Sequence, residues 1–464
     1  MEKGKTKRAE TIFKRILEQI KPSKKEIEVT TVNVNILTER LKEIVPRSVE
    51  IKVVGSIARG TNLKGDADID IFMLFGKKFN KEELTRMGLE YGKKLVDRKN
   101  GEYYEIKYAE HPYVKAYFPN IGLKADLVPA SKIDSAENLA TAVDRSPLHA
   151  EFINSRLSKR QKDEVRLLKY FLKAHSIYGA EVKVGGFSGY LCELLICQYG
   201  SFLNFFEVFS KIKLPSILMP ASKGYSNDEA VAKRFDSRFV VIDPVDKERN
   251  VAAAVTEESL AKLVLLSRQF ISNPDAKLFY GKGFSATTAK SQLASFIRDS
   301  GLETFLLVAN VPEKSADILW PQLRKIGWQI EDYIERYGFE SYLMIPWIDS
   351  KKGFILLLAP DYRLKTRLMR GPDVFKTAST EAFLKKHRSA TGFPIRDGSL
   401  HVLEKNLYRD IYATMRAVVS GKAMKSHKDI SLRSAKLYHN EIPKEYSEGA
   451  IFELRKALNI EMGW

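Results

Sequence analysis

One glycine- and aspartate-rich stretch near the N-terminus constrains the fold more than any other part of the sequence. It covers residues 54–72 and reads VGSIARGTNLKGDADIDIF. The apolar runs on its two sides predict two strands. Gly55, Gly60 and Gly65 between them permit a tight turn whose backbone approaches a ligand closely. The stretch therefore predicts a strand, a helical turn and a second strand around a binding position.

The turn has the composition of an anion site. Ser56 supplies a hydroxyl and a backbone N–H at the start of the predicted helical turn, where negative groups bind. Arg59 follows three residues later, so its guanidinium lies on the same face and reaches the same phosphate. Together with Gly55, these two residues are candidates for binding a phosphate group.

The strand that follows, residues 68–75, begins with two carboxylates. Because side chains alternate along a strand, Asp68 and Asp70 point to one face and Ile69 and Ile71 to the other. Two such carboxylates repel each other unless a cation lies between them, and hard oxygen ligands suit Mg²⁺. The alternative is a polar strand end with two solvated aspartates, which a bare Asp-x-Asp would favour but the full motif does not.

A later segment offers a third carboxylate. Residues 123–129 alternate as a strand, with Lys124 and Asp126 on its polar face. The spacing does not show that Asp126 lies beside Asp68 and Asp70. An exposed aspartate balanced by Lys124 is the alternative.

The composition limits the class of protein. The chain has 464 residues, enough for two to four domains, and 76 Lys and Arg against 58 Asp and Glu give a net charge of +18. That excess is spread along the chain and predicts a polyanionic partner, although a soluble basic protein has the same composition. No apolar run approaches the roughly 18 residues of a membrane span. Because no apolar segment follows the basic N-terminus either, we expect a cytoplasmic protein without a membrane partner.

The motif at residues 54–72 resembles the signature of the nucleotidyltransferase superfamily related to DNA polymerase beta. Further segments narrow the resemblance. They are AEHPYV at 109–114, NLATAVDRSPLH at 138–149, EVRLLKYFLKA at 164–174, GGFSGYLCELL at 185–195 and VVIDPVDKERNVA at 240–252. Together they resemble the archaeal, class I tRNA CCA-adding enzymes, closely over about residues 50–270.

The resemblance implies an α+β multidomain fold. A small mixed sheet with helices, of the polymerase-beta palm type, would form a catalytic head at 1–150. A helical neck at 151–255 would hold the nucleotide and the primer end, and a body and tail at 256–464 would bind tRNA. Within the tail, the pattern of residues 300–362 predicts a β-α-β-β unit similar to RNA-recognition folds. Basic residues that follow it either track an RNA backbone or form a solvated face.

The same resemblance implies the chemistry. A family member adds CCA to the tRNA 3′ end from CTP and ATP without a template and releases pyrophosphate, with two Mg²⁺ held by Asp68, Asp70 and Asp126. Arg249 would lie near the incoming base. The residues that match the family's triphosphate and sugar contacts are Ser56, Arg59, Ser146, His149, Lys169 and Tyr178. A poly(A)-type terminal transferase, a non-catalytic RNA-binding protein and a homodimer remain open.

Overall fold

The computed structural model describes residues 3–66, 68–76, 79–108, 112–218, 233–280, 295, 297, 299–421, 424 and 427–459. The start of the motif at 109–114 and all of residues 219–232 lie outside these ranges. The chain divides into two compact units, residues 1–282 and 283–464. None of the helices in the described parts has the length and apolar character needed to cross a membrane.

The first unit begins with two amphipathic helices, α1 (Lys3–Ile20) and α2 (Lys24–Ile44). Ser23 starts α2 through a capping box, because its side chain accepts from the Glu26 backbone and the Glu26 side chain accepts from the Ser23 backbone. The buried face of α2 carries Val34, Leu37 and Leu41 and packs into the core of the sheet that follows.

A five-stranded sheet forms the centre of this unit. Its elements are β1 (Val49–Val54), α3 (Gly55–Arg59), β2 (Asp68–Phe75), α4 (Lys81–Leu95), β3 (Tyr103–Tyr108), β4 (Pro112–Phe118) and β5 (Leu123–Ser131). The strand order is β1-β2-β5-β4-β3. Only β2 and β5 pair in parallel, and the other neighbours are antiparallel. Because β2 and β5 are parallel, their polar N-terminal ends lie next to each other at one end of the strands.

The helix α4 covers one face of the sheet at unusually close range. A Cβ on Gly88 would lie 2.4 Å from Pro129 of β5, and a Cβ on Gly92 would lie 2.8 Å from Val114 of β4. Both distances are too short for any side chain, so the two glycines allow the helix to approach the strands directly. This packing fixes β4 and β5, which carry part of the site described below.

Helices complete the first unit. They are α5 (Arg145–Arg156), α6 (Lys159–Ala174), α7 (Gly189–Tyr199), α8 (Phe202–Phe209) and α9 (Glu257–Ser272), with the short parallel strands β6 (Ser216–Leu218) and β7 (Phe239–Val241). Phe13 of α1, Phe171 of α6, Phe202 of α8 and Phe270 of α9 pack together in an aromatic core. The structure thus groups α9 with the first unit, and the three-part division inferred from the sequence stays a prediction.

The second unit contains the predicted β-α-β-β pattern as β8 (Leu302–Asn310), α10 (Ala316–Arg336), β9 (Leu343–Asp349) and β10 (Lys352–Pro360). The later elements are β11 (Thr366–Asp373), α11 (Thr377–Lys386), β12 (Ile395–Arg396), β13 (Ser399–Lys405), α12 (Ile411–Val419), β14 (Lys436–His439) and α13 (Lys444–Ala457). One sheet has the order β14-β8-β10-β9, and a second has the order β11-β13-β12. The amphipathic helix α10 packs its apolar face on the first of these sheets.

Candidate active site

The three candidate carboxylates lie on two neighbouring strands. Asp68 and Asp70 are on β2, and Asp126 is on β5, where it lies directly opposite Asp70 in the parallel register. The antiparallel pairing of β1 with β2 places Val54, the residue before α3, opposite Asp70 as well. The sheet therefore brings the carboxylates and the glycine-rich turn to one place, which the spacing alone did not show.

The pKa values of the two facing carboxylates are both raised. Burial and the negative charge of Asp126 raise the pKa of Asp70 to about 6. Burial also raises the pKa of Asp126, against the opposing effect of the nearby Lys115 ammonium. Among the described residues, none forms a hydrogen bond or an ion pair with the Asp70 carboxylate. Asp70 and Asp126 thus carry negative charge that the surrounding side chains only partly balance.

Lys115 of β4 is a cation in the site that the sequence reasoning missed. Its Nζ lies 2.9 Å from Oδ1 of Asp68 and 3.2 Å from Oδ1 of Asp126. Burial acts to lower its pKa, but the contacts with Asp68 and Asp126 raise it above the usual range. The phenol of Tyr113 donates to Oδ2 of Asp126 at 3.5 Å. The sequence feature that could have indicated Lys115 is the alternation of polar residues in β4. The register of β4 with β5 places Lys115 opposite Asp126.

The donor set suits a divalent metal only in part. Within the described ranges, no three His, Cys, Asp or Glu side chains are grouped closely enough to hold a metal ion. Nevertheless, Asp70 and Asp126 face each other across the strand pair and supply the hard oxygen donors that Mg²⁺ prefers. Asp68 and Asp126 both contact the Lys115 ammonium, whereas Asp70 does not.

The predicted turn is the helix α3, and its first residue touches the carboxylates. Gly55 has a φ of +78°, and a Cβ there would lie 2.0 Å from Oδ2 of Asp70. Only glycine can meet both conditions, since other residues disfavour this φ and carry the atom that would clash. Ser56 follows in the same helix and Arg59 ends it. The anion-binding turn and Asp70 are therefore in van der Waals range of each other.

A buried carboxylate holds two of the candidate cations. Glu193 of α7 is fully buried, and its Oε2 lies 2.8 Å from Nε of Arg59. Its Oε1 lies 3.4 Å from Nζ of Lys169 and accepts from the Thr61 hydroxyl at 2.5 Å. Burial acts to raise the Glu193 pKa, but these cations hold it below its usual range. The sequence reasoning missed Glu193, whose only signal is one acid in an apolar helix.

A cavity of about 300 Å³ opens over Asp70 and Asp126, whereas Asp68 is not part of its wall. The candidate residues in its wall are Gly55, Arg59, Asp70, Asp126, Ser146 and His149. Ser56, Lys169, Tyr178 and Arg249 are not part of this wall. A Cβ on Gly189 would lie 3.1 Å from the Tyr178 hydroxyl and 3.6 Å from Lys169 Nζ, so these two side chains lie side by side behind the turn.

A second buried carboxylate links the wall of the cavity to the predicted base-contacting residue. Oδ2 of Asp243 accepts from Nη1 of Arg249 at 2.9 Å and lies 2.8 Å from Nε2 of His149. The phenol of Tyr190 donates to Oδ1 of Asp243 at 3.1 Å, and its ring stacks on His149 at 4.0 Å between centroids. Burial lowers the pKa of His149, although Asp243 opposes this effect. Asp243 and Tyr190 stand in motifs quoted from the sequence, but nothing local marked them.

Three family models match successive parts of the chain. The one described as "Nucleotidyltransferase domain" matches residues 34–149. The one described as "tRNA nucleotidyltransferase, second domain" matches residues 163–280. The one described as "CCA-adding enzyme, C-terminal domain" matches residues 301–435. The first match contains the sheet and all three carboxylates, so the sheet has the expected nucleotidyltransferase fold.

Curated proteins are similar to the chain over most of its length. The CCA-adding enzyme of Methanocaldococcus jannaschii is 38% identical over 424 residues, which cover 89% of this chain and 91% of the relative. That of Archaeoglobus fulgidus is 37% identical, covering 83% of this chain and 84% of the relative. That of Thermococcus gammatolerans is 33% identical, covering 97% and 99%. The similarity includes both compact units.

Proposed function

The chain belongs to the family of archaeal CCA-adding enzymes, and from this premise we propose that it adds CCA to the 3′ end of tRNA. It is an enzyme that transfers nucleotides from CTP and ATP, without a template, and releases pyrophosphate. The observation that carries this conclusion is the pair Asp70 and Asp126, which face each other beside the glycine turn at the floor of one cavity. That arrangement joins a carboxylate pair to a phosphate-binding turn.

We propose that Asp68, Asp70 and Asp126 are the catalytic carboxylates and that they hold Mg²⁺. The unpaired carboxylate of Asp70, which faces Asp126 across the strand pair, supports this assignment. Bound there, Mg²⁺ would lower the pKa of the attacking 3′-hydroxyl and stabilise the leaving pyrophosphate. Asp68 and Asp126 would have to exchange their contacts with the Lys115 ammonium for this role.

The nucleotide site is proposed on the residues around the cavity. Gly55, Ser56 and Arg59 would bind the triphosphate at α3, because that turn adjoins Asp70. Ser146 and His149 also line the cavity, and we propose that they contact the sugar. The remaining assigned residues are Lys169 and Tyr178, behind the turn, and Arg249, near the base.

The rest of the chain would bind tRNA. We propose a catalytic head at 1–150, a neck at 151–255 and a tRNA-binding body and tail at 256–464, acting in the cytoplasm. The net charge of +18 supports contact with a polyanion. Not all tail cations are free for RNA, since Arg367 pairs with Glu404 and its guanidinium lies 4.4 Å above the Tyr337 ring. The other basic candidates in the described tail are Arg363, Lys365, Arg370, Lys385, Lys386 and Arg388.

The test is incubation of the purified protein with tRNA that lacks CCA, labelled CTP or ATP, and Mg²⁺, with products separated at single-nucleotide resolution. We expect addition of C, C and A followed by a stop, and no product from Asp70→Asn. A long ladder of A would assign the chain to the poly(A)-type transferases. No product on any RNA would contradict the proposed activity.

A further inference from the structure

Asp243 is completely enclosed, and its carboxylate is a meeting point of side chains outside the catalytic carboxylates. It follows β7, and its side chain meets residues of three different segments. His149 and Arg249 contact Oδ2, at 2.8 and 2.9 Å. Tyr190 and the Val245 backbone N–H donate to Oδ1, each at 3.1 Å. Both oxygens therefore have two partners each, and the carboxylate has little freedom to turn.

We propose that Asp243 is a positioning residue that sets nucleotide selectivity by fixing the directions of His149 and Arg249 together. The inference rests on the proposed function, in which His149 contacts the sugar and Arg249 contacts the base. Asp243 itself is not part of the cavity wall. It acts on the nucleotide only through the two side chains that it holds.

The arrangement fixes the protonation of His149. An ionised carboxylate only accepts hydrogen bonds, so Nε2 of His149 carries the hydrogen that points to Asp243. Because burial lowers the pKa of His149, its ring is neutral near pH 7 and Nδ1 is an acceptor. His149 lines the cavity, and an acceptor at Nδ1 suits a ribose hydroxyl and repels a phosphate oxygen. His149 therefore distinguishes a ribonucleotide from a deoxynucleotide.

The same carboxylate restrains Arg249. The side chain of Arg249 is 37% exposed, and its guanidinium contacts Asp243 and, at 3.4 Å, Nε2 of His149. An exposed arginine without such an anchor would sample many rotamers, and it would discriminate poorly between bases. The charged hydrogen bond to Asp243 keeps its donors in one direction. Selection of the base and selection of the sugar are thus coupled through one residue.

The test compares Asp243→Asn with Asp246→Asn. Asp246 is a matched control because it is a buried carboxylate of the same loop whose Oδ2 lies 2.6 Å from Nε of Arg145. The Arg249 backbone N–H donates to the Asp246 backbone carbonyl at 3.0 Å, and the substitution leaves that bond in place. The values to measure are kcat/KM for CTP, UTP and dCTP on tRNA that lacks CCA. We expect Asp243→Asn to reduce the preference for CTP over UTP and over dCTP by about tenfold each, and Asp246→Asn to change both by less than about twofold.

Two single variants test the coupling. Arg249→Lys should relax mainly the CTP/UTP ratio, and His149→Asn mainly the CTP/dCTP ratio, whereas Asp243→Asn relaxes both. Equal loss of kcat/KM for all three nucleotides in Asp243→Asn would overturn the proposal and leave Asp243 a structural residue. A wild-type protein that adds no CCA would instead contradict the proposed function.

A measurement on the wild-type protein applies even where Asp243→Asn does not fold. The seven histidines of the chain can be compared by ¹⁵N NMR, with His149→Asn identifying the His149 signals. We expect a neutral ring protonated at Nε2 near pH 7. A ring protonated at Nδ1 would overturn the positioning role, since Asp243 would then hold no hydrogen of His149.

Discussion

Asp70 and Asp126 occupy paired positions on the parallel strands β2 and β5, so the sheet itself holds two carboxylates against each other. Burial and this repulsion raise the pKa of Asp70 to about 6, from an ordinary value of 3.8. Ionisation of Asp70 at neutral pH therefore lowers the stability of the folded protein when no metal ion is bound. A bound cation would remove this penalty, which is a general reason for such sites to depend on metal for stability as well as for chemistry.

Replacement of Asp70 by Asn should stabilise the metal-free protein while it abolishes transfer. The folded protein binds the Asp70 proton more tightly than the unfolded chain, so the penalty of ionisation is absent below about pH 4, grows between pH 4 and 6, and is complete above pH 6. Urea unfolding in EDTA should show Asp70→Asn to be about 2 kcal/mol more stable than wild type at pH 8. A gain that does not shrink as the pH falls from 6 to 5 would contradict this origin.

Removal of the Lys115 ammonium should make stability more dependent on metal. Lys115→Met leaves Asp68 and Asp126 without their shared cation, so the metal-free protein should lose about 1–3 kcal/mol. Mg²⁺ should then raise the thermal midpoint more in the variant than in wild type. Lys124→Met is the control, because Lys124 is an exposed lysine on the neighbouring strand. An equal rise of the thermal midpoint with Mg²⁺ in all three proteins would show that the Lys115 ammonium does not take the place of a metal ion.

The closeness of Gly55 to Asp70 can be separated from backbone strain. Gly55 and Gly65 have φ values of +78° and +80°, but a Cβ on Gly65 would meet nothing within 4 Å. Gly65→Ala should therefore lower the free energy of unfolding by about 1 kcal/mol, which is the cost of the backbone strain alone. Gly55→Ala should be less stable than Gly65→Ala and should transfer no nucleotide, because Asp70 must move. Similar activity in the two variants would show that Asp70 tolerates displacement.

Loss of the Glu193 charge should weaken both folding and nucleotide binding. Glu193→Gln leaves Arg59 and Lys169 near each other without a counterion, which should cost about 3–5 kcal/mol of stability. Glu102→Gln serves as the control, because it breaks a different ion pair, between Glu102 and Arg40. Only Glu193→Gln should raise the KM for CTP and ATP in steady-state assays. Comparable KM values in both variants would limit Glu193 to a structural role.

Local patterns were sufficient for the elements and for the central motif. Alternation and glycine spacing predicted β1, α3 and β2, and Gly55 and Arg59 lie at the two ends of α3. These features depend on near neighbours in the chain, so the sequence contains them directly. The roles assigned to Ser146, His149 and the other nucleotide-binding candidates remain predictions, which the experiments above address.

Neighbours from distant segments could not be predicted. The sequence does not show that β4 and β5 pair in the register that sets Lys115 against Asp126, so Lys115 was missed. For the same reason, the sequence shows Glu193 only as an acid in an apolar helix. Its partner Arg59 lies 134 positions away in the chain. Periodicity gives the face of an element, whereas the partner of that face depends on how the elements pack.

The sequence by itself determined the family and the strand-turn-strand motif that contains Asp68 and Asp70, because both are written in short contiguous segments. Only the tertiary structure decided which charges balance which. It brought Lys115 to Asp68, Glu193 to Arg59, and Asp243 to His149. The physical reason is that charge interactions depend on distance and burial in space. Both are set by sheet register and helix packing, which bring together residues that the chain keeps far apart.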